Sequence, residues 1–172
     1  MRYLLDSNTL IEAKNLHYRP SFCQSFWDWI IAGHTANKFF SIDIVQKELL
    51  AGDADDLLHM WAKSVKASLP GFFISTKGCS SQWGALTAWV TNSKYKEAAI
   101  KKFLNRAAAD AWLIAYALQN KGTYTIVTNE IAVPSRISSI QLPDAAQAFG
   151  VPSINLYDLL SRHGANNFSF QP

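Results

Sequence analysis

The sequence predicts an α/β fold, a parallel β-sheet wrapped by helices. Three observations carry that prediction. Short apolar runs at residues 3–5, 39–42, 72–74 and 124–127 have the length and composition of buried strands. Longer segments with helical spacing separate them, the alternation expected of parallel strands joined by helical crossovers. Two of the runs end abruptly on a carboxylate-bearing stretch, at Asp6 and at Glu130. The carboxyl edge of an open α/β sheet is where ligands bind.

Length and composition narrow the possibilities. A chain of 172 residues is expected to form one domain, here residues 1–163, followed by a polar, loose tail, 164–172, that carries two Phe. A hydrophobic fraction of 49% with 17% charged residues excludes a disordered chain, and six Trp with ten Phe predict an aromatic-rich core. Arg2 is followed by only three apolar residues before Asp6, too few for a signal peptide, and no run approaches a membrane span. Cys23 and Cys79 are isolated, as in a reduced, cytoplasmic protein. The His residues at 17, 34, 59 and 163 have no zinc-type spacing, so no zinc site is expected. A net charge of +3 permits nucleic-acid binding without demanding it.

In chain order, Ser7 or Asn8 is expected to cap a helix over 9–14, with a loop over 15–20. Ser21 starts a helix through Ile31, ended by Gly33, with Phe22, Phe26, Trp29 and Ile30 on one face and Trp27 beside them. After the strand over 39–42, Asp43 caps a helix through Ala51. Asp53, Asp55 and Asp56 open another, running to Ser68, as first-turn charges rather than a metal cluster. Helices follow over 82–90, 94–104 and 106–121. Beyond the strand over 124–127, residues 131–141 read as loop, 143–149 as a short helix, 150–155 as a last strand and 156–163 as a closing helix.

Two further acids stand out. Glu48 falls on the apolar face marked by Ile44, Val45 and Leu49. A carboxylate aimed at a core is costly unless paired or metal-bound, whereas at the edge of the face it reaches solvent or a lysine. Asp110 is the only charge between Ala107 and Leu118. It is either a helix cap, with residues 107–109 as an extended lead-in, or a ligand held by a buried helix. Just before it, Lys94, Lys96, Lys101, Lys102 and Arg106, interleaved with Tyr95 and Phe103, read either as a phosphate-contacting ridge or as a solvated face. Lys94, Lys101, Lys102 and Arg106 are the candidate nucleic-acid contacts, with Tyr18 and Arg19 as further rim residues.

Asp6, Glu48, Asp110 and Glu130 at one sheet edge would repel one another unless a cation bridged them. Hard oxygen ligands without His or Cys select Mg²⁺ or Mn²⁺, and the chemistry that uses such a site is phosphodiester cleavage. Ser7, Asn8 and Thr128 are placed to orient the acids.

These same stretches carry a resemblance. Asp6 in LLDSN, Glu48 in VQKELL, Asp110 in ADAWLIAYAL and the IVTNE after the fourth strand resemble the PIN-domain family, the VapC-like ribonucleases of toxin–antitoxin systems, in order and spacing over nearly the whole chain. RPSFCQSFWDW is similar to a bacterial PIN-like subgroup. The resemblance implies a three-layer α/β/α sandwich on a central parallel sheet. It also implies a Mg²⁺- or Mn²⁺-dependent endoribonuclease with Asp6, Glu48, Asp110 and Glu130 as metal-holding catalytic residues. RNA would be its substrate and a cognate antitoxin its partner, often in a homodimer. Many PIN domains place an Asp just after the VT turn, where this chain has Asn129 and then Glu130, a departure that bears on a second metal position.

Three other readings compete. The first is a catalytically inactive PIN-like regulatory or RNA-binding subunit. The second, a haloacid-dehalogenase-type phosphatase, requires an Asp at position 8, which is Asn. The third, a non-catalytic nucleic-acid-binding module, leaves Asp110 unexplained.

Overall fold

The computed structural model describes residues 1–165 and 168–172. Among them, five strands form one parallel sheet: β1 (Arg2–Leu5), β2 (Phe39–Ile42), β3 (Phe73–Ile74), β4 (Tyr124–Val127) and β5 (Ser153–Ile154), in the order β3-β2-β1-β4-β5. Every residue of β2 and β4 is buried, as are Tyr3, Leu4 and Leu5 of β1, because helices cover both faces. This is the α/β/α sandwich expected. The strand order reverses about β1, so the chain leaves β1 and β4 toward opposite sides and opens a crevice at their carboxyl ends. Register sets its floor: Leu5 pairs with Val127, and the Asp6 N–H donates to the Val127 carbonyl at 3.0 Å.

The helices are α1 (Ser7–Glu12), α2 (Gln24–Thr35), α3 (Asp43–Leu50), α4 (Leu57–Ser68), α5 (Ser80–Thr91), α6 (Glu97–Phe103), α7 (Asp110–Gln119), α8 (Leu142–Ala148) and α9 (Leu156–His163). No helix among the described residues is long and apolar enough to cross a membrane.

Local expectations are corrected at several points. Ser7 and Asn8 lie inside α1 rather than capping it; Asp6 holds the cap position, with its carboxylate engaged elsewhere. The stretch expected as loop continues α1 as a π-helical turn, Ala13–His17. A turn closed on the Arg19 carbonyl delays α2 to Gln24, so Phe22 is not on the helix face but exposed, while Phe26, Trp27, Trp29 and Ile30 are buried. Asp43 is the first residue of α3 and not its cap; its Oδ1 accepts from the Thr76 N–H and hydroxyl at 3.2 and 2.8 Å. Asp56 does cap α4, accepting from the Leu58 N–H at 2.8 Å, and its hydrogen bond to the Lys14 ammonium holds its carboxyl below the usual range.

The tail is docked, not loose. Phe168 packs edge-on against Tyr18 and Phe26, and Phe170 stacks on His163 at 5.7 Å. The Gln171 N–H donates to the His163 carbonyl. Positions 166 and 167 of that expected tail lie outside the described residues.

Gly33 does not end α2. It sits inside the helix because β2 passes against it: a Cβ there would lie 2.1 Å from Cδ2 of the fully buried Phe39. Gly33→Ala is therefore expected to destabilise the fold by about 1–3 kcal/mol through overpacking, measured by urea denaturation; an unchanged midpoint would show that the ring has room to yield.

Candidate active site at the carboxyl edge of the sheet

Asp6 follows β1 directly and is wholly buried. Its Oδ2 accepts from the Thr128 hydroxyl at 3.0 Å, and Ser7 Oγ lies 3.4 Å from Oδ1. Thr128 is brought there by the β1–β4 register, and its hydroxyl also accepts from the Glu130 N–H at 3.2 Å. Glu130 spans the crevice, with Oε1 3.4 Å from the Asn8 amide and Oε2 accepting from the Leu142 N–H at 2.7 Å. The three residues expected to orient the acids each contact one of them.

Asp110 and Glu48 approach from the helices. Asp110 is the first residue of α7, and the preceding Ala109 is helical (φ −79°, ψ −26°). The alternative of Asp110 as a cap on an extended lead-in is thereby ruled out. Glu48 reaches across from α3, its Oε1 accepting from the Ala109 N–H at 2.9 Å. The other oxygen, Oε2, is buried and has no hydrogen-bond partner among the described residues.

Asp6 and Asp110 both feel the charge of the other acids at this edge. Burial, then the charge of Asp110, raises the Asp6 carboxyl from 3.8 to about 8, with Glu130 and Glu48 adding to the rise and the Thr128 hydrogen bond opposing it. Burial, then Glu130 and Glu48, raises Asp110 from 3.8 to about 7, with Lys102 opposing. Among the described residues no three carboxylate, imidazole or thiol groups are already drawn into a metal-holding cluster. The donor set nevertheless fits a hard divalent cation such as Mg²⁺ or Mn²⁺. It is all carboxylate oxygen, it is mutually repulsive, and Glu48 Oε2 is a buried acceptor with nothing to accept from.

The basic ridge divides. Lys102 shares a small cleft, of about 50 Å³, with Asp110 and Glu130. Lys94 instead donates to the Pro134 carbonyl at 2.7 Å, and Lys101 pairs with Glu97 at 2.8 Å in the open. Arg106 is exposed, its carbonyl accepting from the Trp112 indole. Tyr18 stacks on Phe26 at 4.4 Å as a packing residue, and Arg19 lines a separate cleft with Lys14 and Asp56. Sequence reasoning missed the N–H groups of Ala109 and Leu142 that hold Glu48 and Glu130. It noted Asn129 only as a departure after the VT turn and not its bridging role: the amide donates to Glu12 at 2.8 Å and accepts from the Leu156 N–H at 3.2 Å. Backbone donors carry no residue signature, so no pattern announces them.

The fold is a PIN-like α/β/α sandwich on a parallel sheet, with the four acids on its carboxyl side. Among solved structures, the chain is similar to one from VapBC2 of Rickettsia felis, solved bound to a DNA fragment from their promoter. Identity is 21% over 90% of this chain and 98% of that one, with a TM-score of 0.52. At that identity the likeness establishes the fold alone. The family model described as a domain of unknown function, DUF4411, matches residues 3–167, and the chain belongs to that family. No curated protein matches it.

The raised carboxyls set a pH dependence. In the unfolded chain Asp6 and Asp110 ionise near 3.8, whereas the folded protein holds these protons up to about 8 and about 7. The folded state binds more protons between these limits, so metal-free stability falls as pH rises through them. Tm in chelator is expected to drop by several degrees between pH 5.5 and 8.5, and Asp6→Asn to flatten that slope and raise Tm at pH 8.5. Equal slopes in the two proteins would contradict the assignment.

Proposed function

We propose that the protein is a Mg²⁺- or Mn²⁺-dependent endoribonuclease, the toxin of a toxin–antitoxin pair acting in the cytoplasm. The observation that carries this reading is the confluence of Asp6, Asp110 and the unpartnered Glu48 oxygen beside the strand end that bears Glu130. A divalent ion at this edge would supply charge neutralisation at the phosphate and an activated water for in-line displacement. Asp6, Glu48 and Asp110 would hold it, with Glu130 completing the set. Thr128 fixes the Asp6 carboxylate, and the Ala109 N–H turns Glu48 so that its free oxygen remains available. Lys102, the cation whose charge reaches Asp110, would meet the phosphodiester, with Lys94, Lys101 and Arg106 as more distant contacts.

Support for a cognate antitoxin partner is the structural likeness to a chain of a VapBC2 assembly, while a homodimer rests on the sequence resemblance alone. RNA as substrate rests on the sequence resemblance to VapC-like ribonucleases. The second reading, an inactive PIN-like regulatory or RNA-binding subunit, draws on the absence of a closed ligand cluster among the described residues.

Cleavage assays separate the two. Asp6→Asn and Asp110→Asn are each expected to lower Mn²⁺-dependent RNA cleavage by roughly two orders of magnitude or more while circular dichroism stays unchanged. Cleavage at wild-type rates in both would refute the site. Under the binding-subunit reading no RNA is cut, and replacing Lys101, Lys102 and Arg106 together lowers RNA affinity and its salt dependence with or without metal.

A further inference from the structure

A second cleft, of about 510 Å³, opens beside the acid edge and shares with the residues assigned there only Thr128 and Glu130. Its walls come from the end of β4, the π-helical turn after α1 and the start of α9. Glu130 lines both this cleft and the smaller one that holds Asp110 and Lys102. The two are therefore adjacent compartments with one shared wall. A phosphodiester held on the Asp110 side would have a neighbouring nucleotide within reach of the other.

The chemistry of the two compartments is opposite. The smaller one contains a lysine. The larger one has Glu12, Asp158 and Glu130 among its lining residues and no Lys or Arg, so its charge disfavours phosphate. It offers planar faces instead: the exposed rings of His17 and Tyr157 stand at its mouth, 6.1 Å apart, with Ile131 exposed beside them. Single-stranded bases are captured on such rings and read along their Watson–Crick edges. The Asp158 carboxylate has no hydrogen bond or ion pair among the described residues, and an ionised carboxylate only accepts. Among the four bases, guanine alone presents two adjacent donors, N1–H and the N2 amine, matching the two oxygens of a carboxylate. Cytosine, adenine and uracil each present a single donor group on that edge.

We infer that this cleft is a nucleobase subsite selective for guanine: the base stacks on Tyr157 and donates its N1–H and N2–H to Asp158, next to the phosphodiester at the acid edge. The subsite rests on the nuclease reading for its role, but binding can be measured without cleavage. An arginine side chain of a protein partner shares the paired-donor chemistry. The shared Glu130 wall and the ring faces favour the nucleic acid.

The test uses the full chain and three RNA octamers, UUUUUUUU, UUUGUUUU and the same sequence with inosine, which lacks the N2 amine. Fluorescence anisotropy in metal-free buffer is expected to show the guanine octamer binding roughly tenfold tighter than the all-uridine one, with inosine between them. Asp158→Asn and Tyr157→Ala, shown folded by circular dichroism, should each collapse that ratio toward one. With Mn²⁺, cuts should fall at a fixed phosphate beside the guanosine. Guanine-dependent binding that the variants lose, without any cutting, upholds the subsite and defeats the nuclease reading. Cutting without guanine preference, or a preference that both variants keep, overturns the subsite and leaves the nuclease standing. Binding of an arginine-rich peptide that Asp158→Asn abolishes, with all octamers bound alike, overturns it in favour of a protein partner.

Discussion

The structure depends on a carboxylate placed where water cannot reach it. Asp6 follows the central strand, fully buried, and that burial, with the charges of Asp110, Glu130 and Glu48 adding to it, pushes its carboxyl up to about 8. Burial of an acid among acids is unfavourable in the ionised form, and the Thr128 hydroxyl offsets only part of it. Around that point the surrounding parts are organised as supports. The β1–β4 register delivers Thr128, the Ala109 N–H aims Glu48, and the Leu142 N–H pins Glu130. Each support fixes an oxygen that would otherwise swing away from its neighbours.

Topology explains why the acids meet although 124 positions of sequence separate Asp6 from Glu130. With β1 central and the strand order reversing there, helices on opposite faces begin at the same edge. Asp110 heads α7 and Glu48 lies near the end of α3. The core that holds these elements is aromatic: Phe26, Trp27, Trp29, Phe39 and Phe72 are fully buried. It extends to the carboxyl terminus through Phe168 and Phe170, which close over Tyr18 and His163.

Much of this was legible in the residues. The strands were readable because most are short, predominantly apolar runs, and the acids because each interrupts a pattern: Asp6 and Glu130 at strand ends, Asp110 inside an Ala-rich helix. The local boundaries were less so. Phe22 has the spacing of the α2 core residues, but the turn closed on the Arg19 carbonyl starts the helix two residues later. Gly33 resembles a helix stop, yet it is a packing glycine for Phe39, a contact invisible without the tertiary structure. The lysine ridge is uniform in sequence and not in space, since Lys94 and Lys101 are engaged locally while Lys102 alone among them shares a cleft with Asp110. The cleft lined by Glu12, His17 and Tyr157 gathers residues from four separate segments, none with a pattern of its own.

The measurement that bears most directly on the central claim is calorimetry of Mn²⁺ binding at pH 7 by metal-free wild type and Asp110→Asn, repeated in two buffers of different ionisation enthalpy. If the acid edge is a metal site, the wild type binds, and its apparent enthalpy changes with the buffer, because the ion displaces protons that Asp6 and Asp110 still hold near neutrality. Asp110→Asn then binds weakly or not at all. No binding by the wild type, or equal binding by the two proteins with no buffer dependence, would show that the acids form no metal centre and would move the protein to the regulatory reading.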